Sequence, residues 1–274
     1  GSGKGDVPLL SHRVLPHYLP DAIETAEGRQ VFLVVIDNLR LDQWRIIEPM
    51  LKNIFSIVRD DKYMSILPTA TQYARNSLFA GMMPADIKRL YPDYWITEED
   101  EGSKNKYEAE LLKSLLDRLG IEGRTSYHKV TNLAVGKKLL DQFHETKGET
   151  LTTLVYNFVD MLSHARTDME VIKELADDEA AYRSLTLTWF EHSALKELLE
   201  KMAEANGRVI ITTDHGTVKV NNDVKVRGDR STNSNLRYKV GKNLGYEEKE
   251  VFAAVDPEKF GLPKNHVSTG YVFA

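Results

Sequence analysis

Val31-Phe32-Leu33-Val34-Val35-Ile36-Asp37 is the stretch that decides the fold. Six consecutive apolar residues rich in β-branching leave no polar face. The strand they form must be covered on both sides, as in a parallel sheet between layers of helix. Residues 151–159 and 208–213 read the same way, and 63–67, stopped by Pro68, reads as a further strand. Helical patterns lie between them. They cover 43–58, 71–79 closed by Gly81, 106–119 with Leu111, Leu112, Leu115, Leu116 and Leu119 on one side, and one long helix over 180–205 closed by Asn206-Gly207. Strands alternating with helices predict a three-layer α/β/α fold around a central, mostly parallel sheet. The polar, Asn-rich and basic stretch 217–242 breaks the alternation and reads as an inserted loop or hairpin. Residues 1–30 hold Pro8, Pro16 and Pro20 without a sustained period and read as a linker or edge-wrapping segment, so 31–274 reads as the domain.

The composition narrows the classes. With 274 residues, 42% hydrophobic and 28% charged, the chain suits a folded protein with a large core and excludes collagen-like or wholly disordered readings. No apolar run approaches the roughly 18 residues that a membrane helix needs, so no membrane insertion is expected. Gly1-Ser2-Gly3-Lys4-Gly5-Asp6 lacks the apolar core of a signal peptide and reads as a linker end or a cloning remnant. There is no cysteine, hence no disulfide and no thiolate metal site. A net charge of −5 means that the chain as a whole is no polyanion binder.

Three of the buried-looking strands end in an aspartate: Asp37, Asp160 and Asp214. In open α/β sheets the carboxyl ends of the strands form the binding crevice, so parallel neighbours would bring these carboxylates together. Close carboxylates repel unless cations compensate them. Histidines stand near two of them, in Asp160-Met161-Leu162-Ser163-His164 and in Asp214-His215-Gly216. Carboxylate with imidazole suits Zn²⁺, Mn²⁺ or Fe better than Ca²⁺. Pro68-Thr69-Ala70-Thr71 delivers hydroxyls to a helix start, where free amides and the dipole favour a phosphate or an alkoxide. Singly, each piece has a plain structural reading: an Asp after a strand as turn residue or N-cap, Thr69 or Thr71 as N-cap, His164 as a polar residue heading a helix. Their order is what points to chemistry.

Strand–Asp, strand–Pro-x-x-Thr–helix, strand–Asp-x-x-x-His and strand–Thr-x-Asp-His-Gly, in that order, resemble the alkaline phosphatase superfamily. Leu67-Pro68-Thr69-Ala70-Thr71-Gln72, running on to Leu78-Phe79-Ala80-Gly81, is similar to its PglZ branch. Asp37-Asn38-Leu39-Arg40-Leu41-Asp42-Gln43 and Asn157-Phe158-Val159-Asp160-Met161-Leu162-Ser163-His164 resemble the output domain of PorX-type response regulators of type IX secretion. The resemblance covers about residues 30 to 274. It implies an alkaline-phosphatase-like fold and a cytoplasmic two-zinc phosphohydrolase. Asp37, Thr71, Asp214 and His215 would hold one ion, with Thr71 as nucleophile, and Asp160 and His164 the other. Thr69 is the rival nucleophile; alignment with the family's Thr-Gln favours Thr71. The family's second site takes one more histidine from a late His-Gly segment. After His215 only His266 remains, without a following glycine, so either His266 substitutes or, the favoured reading, the chain stops short of that ligand and leaves the second zinc site incomplete.

From 217 to 242 seven basic residues (Lys219, Lys225, Arg227, Arg230, Arg237, Lys239, Lys242) face Asp223 and Asp229. This is either a solvated hairpin or a cationic wall that draws in phosphorylated substrate. Lys225, Arg227 and Arg230 are its candidate substrate contacts, and Arg75 and Asn76, just after Thr71, could touch a phosphoryl oxygen or serve the helix surface. The basic segment tilts the expectation to a phosphodiesterase on nucleotides or short oligonucleotides, linear or cyclic. A sulfatase would need a cysteine or serine where Thr71 stands. The alternative is a regulatory module that works by binding secretion-system or sigma-factor signalling proteins, and a homodimer is compatible with either role.

Overall fold

The computed structural model describes residues 8–97, 102–220 and 222–273, which leaves the Gly1–Asp6 stretch outside the described residues. In chain order the first elements are α1 (Ser11–Glu24), β1 (Val31–Ile36), α2 (Leu41–Leu51), α3 (Thr71–Ala80), α4 (Pro84–Leu90), α5 (Glu108–Arg118), β2 (Thr125–Val130), α6 (Leu133–Asp141) and β3 (Leu151–Tyr156). There follow α7 (Phe158–Asp168), α8 (Glu170–Leu175), α9 (Glu179–Glu191), α10 (Ala194–Glu204), β4 (Arg208–Thr212), β5 (Tyr238–Lys242), β6 (Phe252–Ala254) and β7 (Thr269–Phe273). They fall into two compact units. The sheet unit comprises 17–62 and 120–217, and the second unit holds the other described residues.

The sheet unit is built on four parallel strands in the order β2-β3-β1-β4, flanked by helices, as an alkaline-phosphatase-like α/β fold requires. β1 is buried along its whole length, and β3 beside it likewise. Phe32, Val34 and Ile36 share a core with Ile47 and Leu51 of α2, Phe190 of α9, and Leu195, Leu198, Leu199 and Met202 of α10. Each such side chain contributes about 1.5–3 kcal/mol by leaving water. The expected long helix over 180–205 is two helices. Ser193 breaks it, capping α10 by accepting from the Lys196 N–H. After α10, Gly207 lets the chain pass Phe32, whose ring lies 2.5 Å from where a Cβ would stand.

Three further expectations need correction. Residues 63–67 form no strand: only Met64 makes an isolated bridge, to Leu10, and the fourth strand of the sheet is the polar β2. Residues 11–24, expected within a linker or edge-wrapping segment without a sustained period, form α1. Leu15, Leu19, Ala22 and Ala26 recur at helical spacing and are buried, an apolar stripe that outweighs Pro16 and Pro20. Asp160 does not end a strand, because β3 stops at Tyr156 and Asp160 lies in the first turn of α7.

The second unit carries an antiparallel sheet, β5-β7-β6, absent from the sequence reading. Tyr73 of α3 meets Tyr238 of β5 and Tyr271 of β7 edge-on, at 5.6 and 6.0 Å between ring centres. Gly81 ends α3 in the left-handed conformation (φ 61°), and its N–H bonds the Ser77 carbonyl. Among its described residues, the basic stretch has no helix or strand before β5 beyond one bridge between Arg227 and Gly245.

Candidate metal centre

β1 and β4 are parallel neighbours, so their carboxyl ends set Asp37 beside Asp214-His215. All three side chains are at most 2% exposed. One donor atom from each lies within 4.8 Å of the others, the only such group of three among the described residues. The His215 Nε2 is 3.4 Å from Asp37 Oδ1 and 3.8 Å from Asp214 Oδ2. Both separations are long for hydrogen bonds, yet near the edge of about 3.4 Å between ligands of a tetrahedral ion with bonds of about 2.1 Å. Two buried carboxylates with one imidazole also carry a charge that a divalent cation offsets. The residues present therefore fit a metal.

The loops that present these ligands are tied by backbone donors. Asp214 Oδ1 accepts from the N–H groups of His215 (2.9 Å) and Asn38 (3.1 Å). The Thr213 hydroxyl accepts from the Leu39 N–H and donates to the His215 carbonyl. Asp37 extends the ladder, its N–H bonding the Tyr156 carbonyl. Such outer bonds fix ligand direction before an ion arrives.

Asp160 and His164, one turn apart on α7, form a second pair, with Nε2 3.4 Å from Oδ2. This pair opens to solvent, since the His164 side chain is 67% exposed. α7 is held from two sides. Phe158 stacks on Trp189 of α9 at 4.5 Å, and Arg166 bonds Glu179 and the Ala176 carbonyl. Arg40 joins the same network, pairing with Asp42 and Glu179 beside the Tyr182 ring. The hydrogen bond from Arg40 holds Asp42 below the usual carboxylate range, against its partial burial. Burial pushes Glu179 the other way, but Arg40 and Arg166 still hold it low. A buried environment raises the Tyr156 phenol well above its ordinary value.

The structure thus gathers Asp37, Asp214 and His215 and pairs Asp160 with His164. Thr71 belongs to the second unit, at the first position of α3. The N-cap there is Ala70 and no side chain caps the helix, so neither Thr69 nor Thr71 acts as a cap. Arg75 and Asn76 are buried at 1% exposure. Arg75 pairs with Glu108, and Asn76 donates to the Lys104 carbonyl. Lys225, Arg227 and Arg230 are exposed. His266 lies in the turn before β7, its N–H bonded to the Thr269 hydroxyl. Two residues gain weight that sequence alone did not give them. Asn38 touches carboxylates of both groups, and Arg237 donates to the Thr69 carbonyl at 2.6 Å, two residues before Thr71.

A parallel sheet with a buried Asp/Asp/His cluster at its carboxyl end defines an alkaline-phosphatase-like metallohydrolase. The chain matches, over residues 15–272, the family described as the BREX system PglZ alkaline phosphatase-like domain, and it belongs to that family. Its activity class is accordingly that of a phosphoesterase with a metal cofactor. No curated protein matches the chain. No helix among the described residues is long and apolar enough to cross a membrane.

Proposed function

We propose that the chain is a two-zinc phosphodiesterase that acts on nucleotides or short oligonucleotides, linear or cyclic, with Thr71 as its nucleophile. The observation that carries this reading is the buried Asp37/Asp214/His215 cluster. Those residues would hold one ion, and Asp160 with His164 the other. Bound there, the metals supply Lewis acidity, which lowers the pKa of a hydroxyl or water and offsets phosphate charge. The Thr71 Oγ1 forms a bond to phosphorus as the ester oxygen leaves with a proton. Water then cleaves the phosphothreonine, releasing a phosphomonoester and restoring the hydroxyl. Motif likeness to PorX-type regulators supports a place at the output end of a two-component pathway controlling type IX secretion.

The test is hydrolysis of bis-p-nitrophenyl phosphate by zinc-loaded protein beside an Asp214→Ala/His215→Ala variant. The variant is expected to lose the metal of that half-site by elemental analysis and to lose hydrolysis with it. Chelator should lower the melting temperature of wild type, since ligands that pair buried carboxylates with a cation lose their compensation. Unchanged zinc content in the variant means the site is misassigned. Wild type that binds zinc but hydrolyses no diester favours a module that acts by binding partners.

The exposed Lys225, Arg227 and Arg230 bear on substrate capture. Replacing all three with Ala should raise KM for an oligonucleotide by about tenfold at low salt and leave kcat nearly constant, because distant charges act on encounter and binding. The difference should shrink at 1 M salt, where the Debye length is about 3 Å. An unchanged KM at low salt identifies the stretch as a solvated hairpin.

A further inference from the structure

Asn38 stands one residue past Asp37 with φ 61°, in the left-handed region that few residues besides glycine enter, asparagine among them. That backbone turn lets one residue reach in two directions. Its N–H donates to Asp214 Oδ1 at 3.1 Å, and its side-chain Nδ2 donates to Asp160 Oδ1 at 3.2 Å. A carboxylate only accepts, so the amide must present its NH₂ to Asp160 and turn its oxygen away. Asn38 is fully buried, and among the described residues that oxygen has no hydrogen-bond partner. An acceptor left unpaired in the interior is costly, and such groups are rare where a residue serves only a turn.

We propose that Asn38 is a positioning residue that couples the two metal half-sites. Its amide holds one oxygen of Asp160, which leaves Oδ2, 3.4 Å from His164 Nε2, as the ligand atom. Its backbone holds Asp214 in the first half-site at the same time. Glycine accepts the backbone but has no amide, alanine has neither advantage, and aspartate sets a third carboxylate beside Asp37 and Asp160. This inference rests on the two-metal reading above.

The experiment is a zinc titration of metal-free protein by calorimetry, with elemental analysis after desalting, on wild type, Asn38→Gly and His164→Ala. Wild type should take one equivalent at Asp37, Asp214 and His215 and a second, weaker one at Asp160 and His164; a wild type that takes only one overturns the inference. Asn38→Gly keeps the backbone donor and an unstrained left-handed turn, so its metal-free melting temperature and first equivalent should stay near wild type. Its second equivalent should weaken by about 10–100-fold, the usual loss when an outer partner of a ligand is removed. His164→Ala should lose the second equivalent outright. If Asn38→Gly binds both equivalents like wild type while His164→Ala loses one, Asn38 is a turn residue and the inference falls, leaving the two-metal reading intact. If His164→Ala also keeps both, the second half-site is misassigned and the inference falls with it. Equal loss of both equivalents in Asn38→Gly, or a collapsed melting temperature, means a role in the fold and not in coupling.

Discussion

Thr71→Ala should lower diester hydrolysis by roughly four powers of ten or more, in folded protein that still holds zinc through Asp37, Asp214 and His215. Losses of that order follow when a nucleophile is removed and binding and electrostatic stabilisation are left in place. Thr71 occupies the first helical position and Ala70 is the N-cap residue, so the substitution leaves the cap residue in place. Alanine is also the better helix former, by a few tenths of a kcal/mol. Thr71→Ser should retain measurable activity, because a primary alkoxide attacks the same phosphorus. Thr69→Ala serves as the comparison, since Thr69 gives its carbonyl to Arg237 and keeps it whatever the side chain. Initial rates with bis-p-nitrophenyl phosphate, elemental analysis and thermal denaturation of each variant decide the matter. A metal-replete Thr71→Ala protein at wild-type rate ends the threonine-nucleophile reading, and loss confined to Thr69→Ala transfers the role to Thr69.

What the sequence made legible follows burial. β1 and β3 announce themselves because strands covered on both faces carry unbroken apolar runs, and β4, a half-buried edge strand, does so through Val209-Ile210-Ile211. β2 is an edge strand in which only Val130 is buried, so Thr125-Ser126-Tyr127-His128-Lys129 gives no such signal. The opposite error at 63–67 has the same root: the run is apolar, yet Met64 and Leu67 face solvent and only Ile66 is buried. At Asp160 the strand-to-helix change is hidden because Phe158 and Val159 continue the apolar run on α7, one stacked on Trp189 and the other in the core.

The Asp37/Asp214/His215 cluster was legible because Asp37 and Asp214-His215 each follow an apolar strand, and the adjacency of those strands brings them together. The role of Asn38 was not, because it depends on a left-handed backbone and on a hydrogen bond between residues 122 positions apart. Local pattern carries neither. Arg75 was open to a substrate or a surface reading because helical spacing around Thr71 does not reveal that α3 is buried along almost its whole length.

That burial makes Glu108→Ala the change expected to harm folding most. The Arg75 Nε lies 3.0 Å from Glu108 Oε2, with the two side chains 1% and 3% exposed. Asn105 adds a hydrogen bond to the same oxygen at 2.9 Å, and Glu108 sits in the first turn of α5, where the helix dipole favours a carboxylate. Arginine does not shed its proton, so Glu108→Ala takes away a buried carboxylate that faces the cation, at about 3–5 kcal/mol. For a protein of this size that corresponds to a fall of roughly 6–20 °C in melting temperature. Arg75→Met alone should cost a similar amount by taking the buried cation from the carboxylate. Arg75→Met/Glu108→Leu should recover most of the loss, because a well-packed apolar pair often matches a buried ion pair. The double variant also separates the two roles of Arg75. If its guanidinium bonded a phosphoryl oxygen, the refolded double variant would lose about 10–100-fold in kcat/KM, the worth of a charged hydrogen bond of about 1.5–3 kcal/mol. With Arg75 committed to Glu108 between α3 and α5, kcat/KM should stay within a few-fold of wild type once the melting temperature is restored. A restored melting temperature with a hundredfold loss in kcat/KM would return Arg75 to the substrate.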